Sequence, residues 1–171
     1  MKRKVEAQLI AWKNKSSERQ PLLVNGARQV GKTYILRKFG EEQFKNVVYV
    51  NLETNLTIAS YFNDNIAPER LLRYLEASTG ERIIAGETLI FFDEIQSCER
   101  ALTSLKYFCE ETPEFHIAAA AYWVSPSTDS TILSLWERSK RLPCILWILR
   151  NTYGLVVRSS LLLKYVPPLK R

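Results

Sequence analysis

The chain has 171 residues, of which 46% are hydrophobic and 25% charged, enough for one ordinary domain with a real core. No apolar run reaches the ~18 residues that a bilayer-spanning helix needs. The formal net charge of +6 excludes less than it suggests. Acids and bases balance over residues 1–120, and the whole excess falls in residues 121–171, where Asp129 and Glu137 are the acids. A basic nucleic-acid face is therefore not implied for the first part of the chain.

Residues 2–15 place Val5, Leu9, Ile10 and Trp12 near one face, with lysines elsewhere. That pattern predicts an amphipathic helix packed on the domain rather than a signal peptide. A polar connector, Ser16 to Gln20, leads to a short apolar strand at Pro21–Asn25.

Gly26-Ala27-Arg28-Gln29-Val30-Gly31-Lys32-Thr33 follows and matches G-x-x-x-x-G-K-[ST], the phosphate-binding loop. Glycines let the backbone curl so that successive N–H groups point inward at a dense negative charge. Lys32 supplies a mobile cation for the β- and γ-phosphates, and the Thr33 hydroxyl can ligate Mg²⁺. A helix from Lys32 to Phe39, stopped by Gly40, aims its positive end at the same phosphates. The motif thus predicts a bound triphosphate with Mg²⁺.

Val47–Leu52 reads as a strand buried on both faces, with Glu53 just past its end as a solvated carboxylate. A short helix is expected around Ile58–Phe62, and a longer one from Pro68 to Glu76, closed by Gly80. Thr88-Leu89-Ile90-Phe91-Phe92-Asp93-Glu94 is the next strand. It carries two acids to the sheet edge beside the loop: Asp93 for the metal opposite Thr33, and Glu94 as the base that polarises the attacking water. Glu99–Glu111 reads as a helix and Phe115–Ala120 as a fourth strand. His116, the single histidine, reads as a strand-start residue and not a metal ligand. The cysteines Cys98, Cys109 and Cys144 form no C-x-x-C pair and no even set, which fits free thiols in the cytoplasm.

Together, the strings Leu22–Thr33, Asn51-Leu52-Glu53, Phe92-Asp93-Glu94-Ile95-Gln96 and Ser104-Leu105-Lys106-Tyr107-Phe108 resemble prokaryotic AAA-type P-loop ATPases that carry a C-terminal nuclease-like domain. The resemblance covers about residues 1–120. It implies an α/β three-layer sandwich with a parallel sheet of about four strands and ATP and Mg²⁺ at its C-terminal edge. It implies Lys32 and Thr33 on phosphate and metal, Asp93 on the metal, and Glu94 as catalytic base. Intact members allow a homo-oligomer; the DNA or protein partner is not named by the sequence, and no membrane association is expected.

After the fourth strand such proteins continue with a Gly-Ser turn and L-L-G-V, and later with S-F-P-V-G-K and Y-P-M-x-F-E-E. This chain reads Ala121-Tyr122-Trp123-Val124-Ser125-Pro126 instead, and Gly154 is the tail's one glycine. Begun one nucleotide earlier, the codons of Trp136-Glu137 must yield Gly, where the family has it, and those of Trp147-Ile148 must yield Asp, at the open position of Y-P-M-x-F-E-E. Residues 121–171 are therefore expected to be an out-of-frame translation with little packed structure, leaving the first strand at a bare edge. The alternative is a divergent tail in which Cys144–Leu149 and Leu161–Leu163 form strands or a membrane-surface segment.

No sensor turn, fifth strand, lid or arginine finger is legible, Arg82 and Arg100 being candidates only in the sense of being arginines, so hydrolysis is expected to be impaired. The alternative function is a non-catalytic nucleotide-binding or DNA-associated interaction protein. A small-molecule kinase, lacking a legible acceptor pocket, ranks last.

Overall fold

The computed structural model describes residues 2–15, 19–26, 28–122, 146–151 and 154–158. In chain order the elements are α1 (Lys2–Lys13), β1 (Leu22–Gly26), α2 (Lys32–Gln43), β2 (Asn46–Asn51), α3 (Leu56–Tyr61), α4 (Pro68–Thr79) and β3 (Thr88–Asp93). A 3₁₀ turn (Ile95–Ser97), α5 (Glu99–Glu111), β4 (His116–Tyr122), β5 (Leu146–Asn151) and β6 (Gly154–Arg158) follow. The sheet order is β2-β3-β4-β1-β5-β6. Strands β2, β3, β4 and β1 run parallel, as expected for an α/β sandwich, and the helices between them make the crossovers.

Period-two alternation sorts the strand residues onto two faces. Leu22, Val24, Leu89, Phe91, Ala118 and Ala120 pack with α1 and α2, through Leu9, Trp12, Leu36 and Phe39. Leu23, Val48, Val50, Ile90, Phe92, Ile117 and Ala119 face α3, α4 and α5, through Ile58, Leu71, Leu75, Leu105 and Phe108. Both faces of the central strands are covered, which explains their near-continuous apolar runs. The result is three layers, with both strand ends that carry the motifs, Gly26 and Asp93, at the same edge.

Three expectations are corrected. Gly40 does not stop α2, which continues to Gln43. A Cβ there would lie 2.6 Å from Val47 Cγ2 and 2.9 Å from Leu89 Cδ2, so glycine is required by the close approach of helix to sheet and not by a cap. Strand β2 is not buried on both faces: it is the sheet's edge, and Val47, Tyr49 and Asn51 are half-buried while Val48 and Val50 are buried. Nor is β1 at a bare edge. Strand β5 lies parallel beside it, in register from Leu22↔Leu146 to Gly26↔Arg150, and β6 pairs antiparallel with β5. Backbone pairing needs only an uninterrupted segment free of proline, and Leu146–Asn151 is one. The strand begins within the Cys144–Leu149 segment named above; Cys144, Ile145 and Leu161–Leu163 lie outside the described residues.

At the opposite edge of the sheet, His116 opens β4 and is buried. Its Nε2 lies 3.3 Å from the Lys13 carbonyl, whereas Nδ1 is buried without a hydrogen-bond partner. The ring packs edge-on against Trp12 and Phe44, with centroids 5.7 and 4.8 Å away.

Candidate functional site

The predicted loop leaves β1 at Gly26 and enters α2 at Lys32. Ala27 lies outside the described residues. Arg28 and Gln29 are exposed, and Val30 is half-buried. Gln29 and Gly31 both take positive φ, 59° and 81°, the left-handed region that glycine accepts freely and other residues resist. Two such residues around Val30 make a tight curl ending on a helix N-terminus, the backbone form that gathers N–H groups around an anion. Lys32 is 7% exposed. Its ammonium donates 3.0 Å to the Gly26 carbonyl, so the side chain folds back across the loop it would serve.

Thr33 follows in the first turn of α2. Its Oγ1 donates to Asp93 Oδ2 at 2.9 Å, across 60 residues of sequence. The structure thus brings together the hydroxyl and the carboxylate predicted to share a metal. Asp93 is buried and ends β3. Its Oδ1 accepts the Glu94 N–H at 3.1 Å. Glu94 has left-handed backbone, φ 52° and ψ 43°, which turns the chain sharply out of the sheet and leaves Glu94 half-buried at the edge. Its Oε2 accepts from Gln96 Nε2 at 2.5 Å, and Gln96 Oε1 is buried with no partner.

Three further features were not read from the sequence. Tyr49 donates its hydroxyl to the same Asp93 Oδ2, at 3.0 Å. Burial first, then the Asp93 charge, pushes the Tyr49 phenol above its ordinary range, which keeps it a donor. Arg37, one turn beyond Thr33, lies 4.8 Å over the Tyr49 ring. Asn25, at the root of the loop, has a buried Oδ1 without a partner. The signal for Tyr49 was present in its parity with Phe91 and Asp93, but it depends on a strand register that local pattern does not supply.

Glu53 is exposed and sits 3.8 Å from Arg28, whose guanidinium also lies 4.3 Å over the Tyr122 ring. The finger candidates are not at the site. Arg100 donates to the carbonyls of Phe62 and Asp64, both at 2.5 Å. The Arg82 carbonyl accepts from Asn46 Nδ2 at 2.9 Å, at the start of β2 and so at the sheet's other edge.

The donor set suits a nucleotide with a hard divalent cation. One hydroxyl and one carboxylate are too few for an all-protein metal cage, and among the described residues no three His, Cys, Asp or Glu side chains cluster. Magnesium takes such a sparse protein set when phosphates and water complete its octahedron.

The family model for the AAA domain matches residues 18–131, more than half of the chain. The chain belongs to that family. Strand, loop, helix and acid-tipped strand in this AAA domain all fall within the matched segment. Among solved structures, the Drosophila ORC bound to AT-rich DNA and Cdc6 is similar at 18% identity and a TM-score of 0.53, over 85% of this chain and 52% of that one. A point variant of Thermotoga maritima RuvB is similar at 18% identity and a TM-score of 0.45, over 85% and 43%. A Pyrococcus horikoshii protein gives 12%, 0.48, 89% and 94%. At 18% identity the likeness to the ORC structure is one of fold alone. The chain spans about half the length of the ORC chain. No curated protein matches it. Among the described residues, no helix is long and apolar enough to cross a membrane.

Proposed function

We propose that this AAA domain binds ATP with Mg²⁺ in the loop Gly26–Thr33, and that Glu94 is the base for hydrolysis. The observation that carries the reading is the 2.9 Å bond between Thr33 and Asp93. It ties the first turn of the loop's helix to the acid-tipped strand, next in sequence to the buried Lys32. Loop amides and Lys32 hold phosphate oxygens; Thr33 and Asp93 hold the cation. When bound, the cation neutralises charge on the transferring phosphoryl group. Glu94 orients and deprotonates water once it leaves Gln96.

The second reading is a nucleotide-binding interaction module without turnover, DNA-associated or not. It is favoured by two observations: Glu94 is engaged by Gln96, and Arg100 is committed to the α3–α4 loop. An arginine supplied from a neighbour is worth 10³–10⁵ in rate in such sites, so a second copy would be needed for full activity. Release of labelled phosphate from ATP separates the readings. Glu94→Gln is expected to bind ATP normally and to reduce turnover at least about 100-fold. Equal rates at background for both proteins leave the binding module.

For residues 121–171 we propose out-of-frame translation after about residue 120, with residues 1–120 as the N-terminal part of the AAA-type ATPase domain. The forced Gly at the Trp136 codon supports it. The β5–β1 ladder weighs for the divergent tail, although backbone groups supply that pairing whatever the side chains. Sequencing the gene decides: the shifted frame is expected to stay open and to encode L-L-G-V and S-F-P-V-G-K. An early stop ends the proposal. Cys98 and Cys109, neither of them in a disulfide, support a cytoplasmic site of action.

A further inference from the structure

Asp93 Oδ2 is held by two hydroxyls from different elements, Thr33 on α2 and Tyr49 on β2. The second has no place in the nucleotide signatures read above. Its position follows from strand register. Tyr49 is opposite Phe91, and Asn51 is opposite Asp93, so Tyr49 is the diagonal neighbour of Asp93 on the face toward α2. Its ring packs on Phe91 at 5.3 Å between centroids and lies under Arg37. Thr33 and Arg37 are four residues apart and share one helix face. Helix and two strands therefore close a ring: Thr33, Asp93, Tyr49, Arg37.

A carboxylate turns in a broad torsional well, and a threonine hydroxyl rotates to suit its acceptor. With Oδ1 on the Glu94 amide and Oδ2 on Tyr49, the Asp93 plane is fixed from both sides. Thr33 then points its proton at Oδ2, and its lone pairs are left for a cation. We propose that Tyr49 is a positioning residue of the metal half of this site: its hydroxyl sets the Asp93 carboxylate, and through it the Thr33 hydroxyl, for Mg²⁺. The inference rests on the ATP–Mg²⁺ reading.

The test is ATP affinity of the full chain by titration calorimetry, in EDTA and across a Mg²⁺ series. Tyr49→Phe keeps the ring between Phe91 and Arg37. It is expected to change affinity in EDTA by less than about twofold and to raise the half-effective Mg²⁺ concentration roughly tenfold, as loss of an outer-shell partner does. Asp93→Asn should abolish the Mg²⁺ effect, and adding Tyr49→Phe to it should shift nothing further. The second variant, Tyr49→Leu, should reproduce the Mg²⁺ shift. Normal Mg²⁺ dependence in either Tyr49 variant overturns the proposal, as does an equal loss in both buffers, which marks a purely structural role. Failure of the unmodified chain to bind ATP at any point of the Mg²⁺ series overturns the nucleotide reading itself, a different result from intact binding with an unaltered Mg²⁺ series.

Discussion

Lys32→Ala is expected to weaken ATP binding by about 100-fold or more while leaving the nucleotide-free fold intact. The affinity term is direct. A buried ammonium reaching two phosphates makes charge-assisted hydrogen bonds, each worth roughly 1.5–3 kcal/mol, and about 2.7 kcal/mol is already 100-fold in Kd. The fold term runs the other way. Lys32 is the first residue of α2 and is 7% exposed. A cation at a helix N-terminus opposes the macrodipole, and burial removes its hydration. The bond to the Gly26 carbonyl offsets part of that cost. The side chain is thus held ready at some expense to the empty protein, and alanine, the best helix former, relieves it. Thermal melts without ligand should show the variant at least as stable as the parent. Melts with excess MgATP should show a stabilised parent and an unmoved variant, by mass action. Retained affinity would contradict the assignment of Lys32 to phosphate, and a collapsed empty variant would make Lys32 a structural residue.

The difference between those two outcomes tracks what local sequence can encode. The loop, the acid pair and helix α5 were legible because each is specified within a dozen residues. Gly31 followed by Lys32-Thr33 needs no distant partner to be read, and Glu99–Glu111 was bounded to the residue by its apolar spacing and by Pro113. Gly40 was misread because glycine signals both a helix end and a close packing contact, and only Val47 and Leu89 across the interface tell them apart. Strand β2 was misread because an apolar run looks alike at the centre of a sheet and at its edge. The place of β5 beside β1 depends on a pairing across more than about 120 positions, which no periodicity carries. Tyr49 was missed for the same reason: its partner was predicted, but not the register that brings them together. The candidate site was therefore legible in its motif-borne parts, loop and acids, and illegible in the parts that tertiary register assembles.

Stability should fall as the pH drops from about 6.5 toward 4, and His116 should account for most of the fall above pH 5. Burial, then the nearby Arg19 charge, lowers the His116 pKa from 6.5 to about 4. The folded protein therefore refuses a proton that the unfolded chain accepts. Its stability is highest above the unfolded value and declines as pH falls through the window between the two. The groups around the ring agree in sign. Trp12 and Phe44 offer no acceptor from their edge-on packing. Buried Nδ1 has no partner to receive a new N–H. The cations of Arg19 and Lys13 both disfavour a third charge, and only the Lys13 carbonyl opposes them. A shift of that size is worth about 3 kcal/mol in full and about 2 kcal/mol by pH 5. Urea unfolding at pH 7 and pH 5 reads it, before most carboxylates titrate. His116→Phe, which fills the same apolar niche without a titrating nitrogen, should start less stable by the lost bond to Lys13 and then show a much flatter pH dependence. Parallel curves for parent and variant would mean that His116 is protonated at little cost in the fold, and that the cluster of Trp12, Phe44 and Arg19 yields to admit the charge.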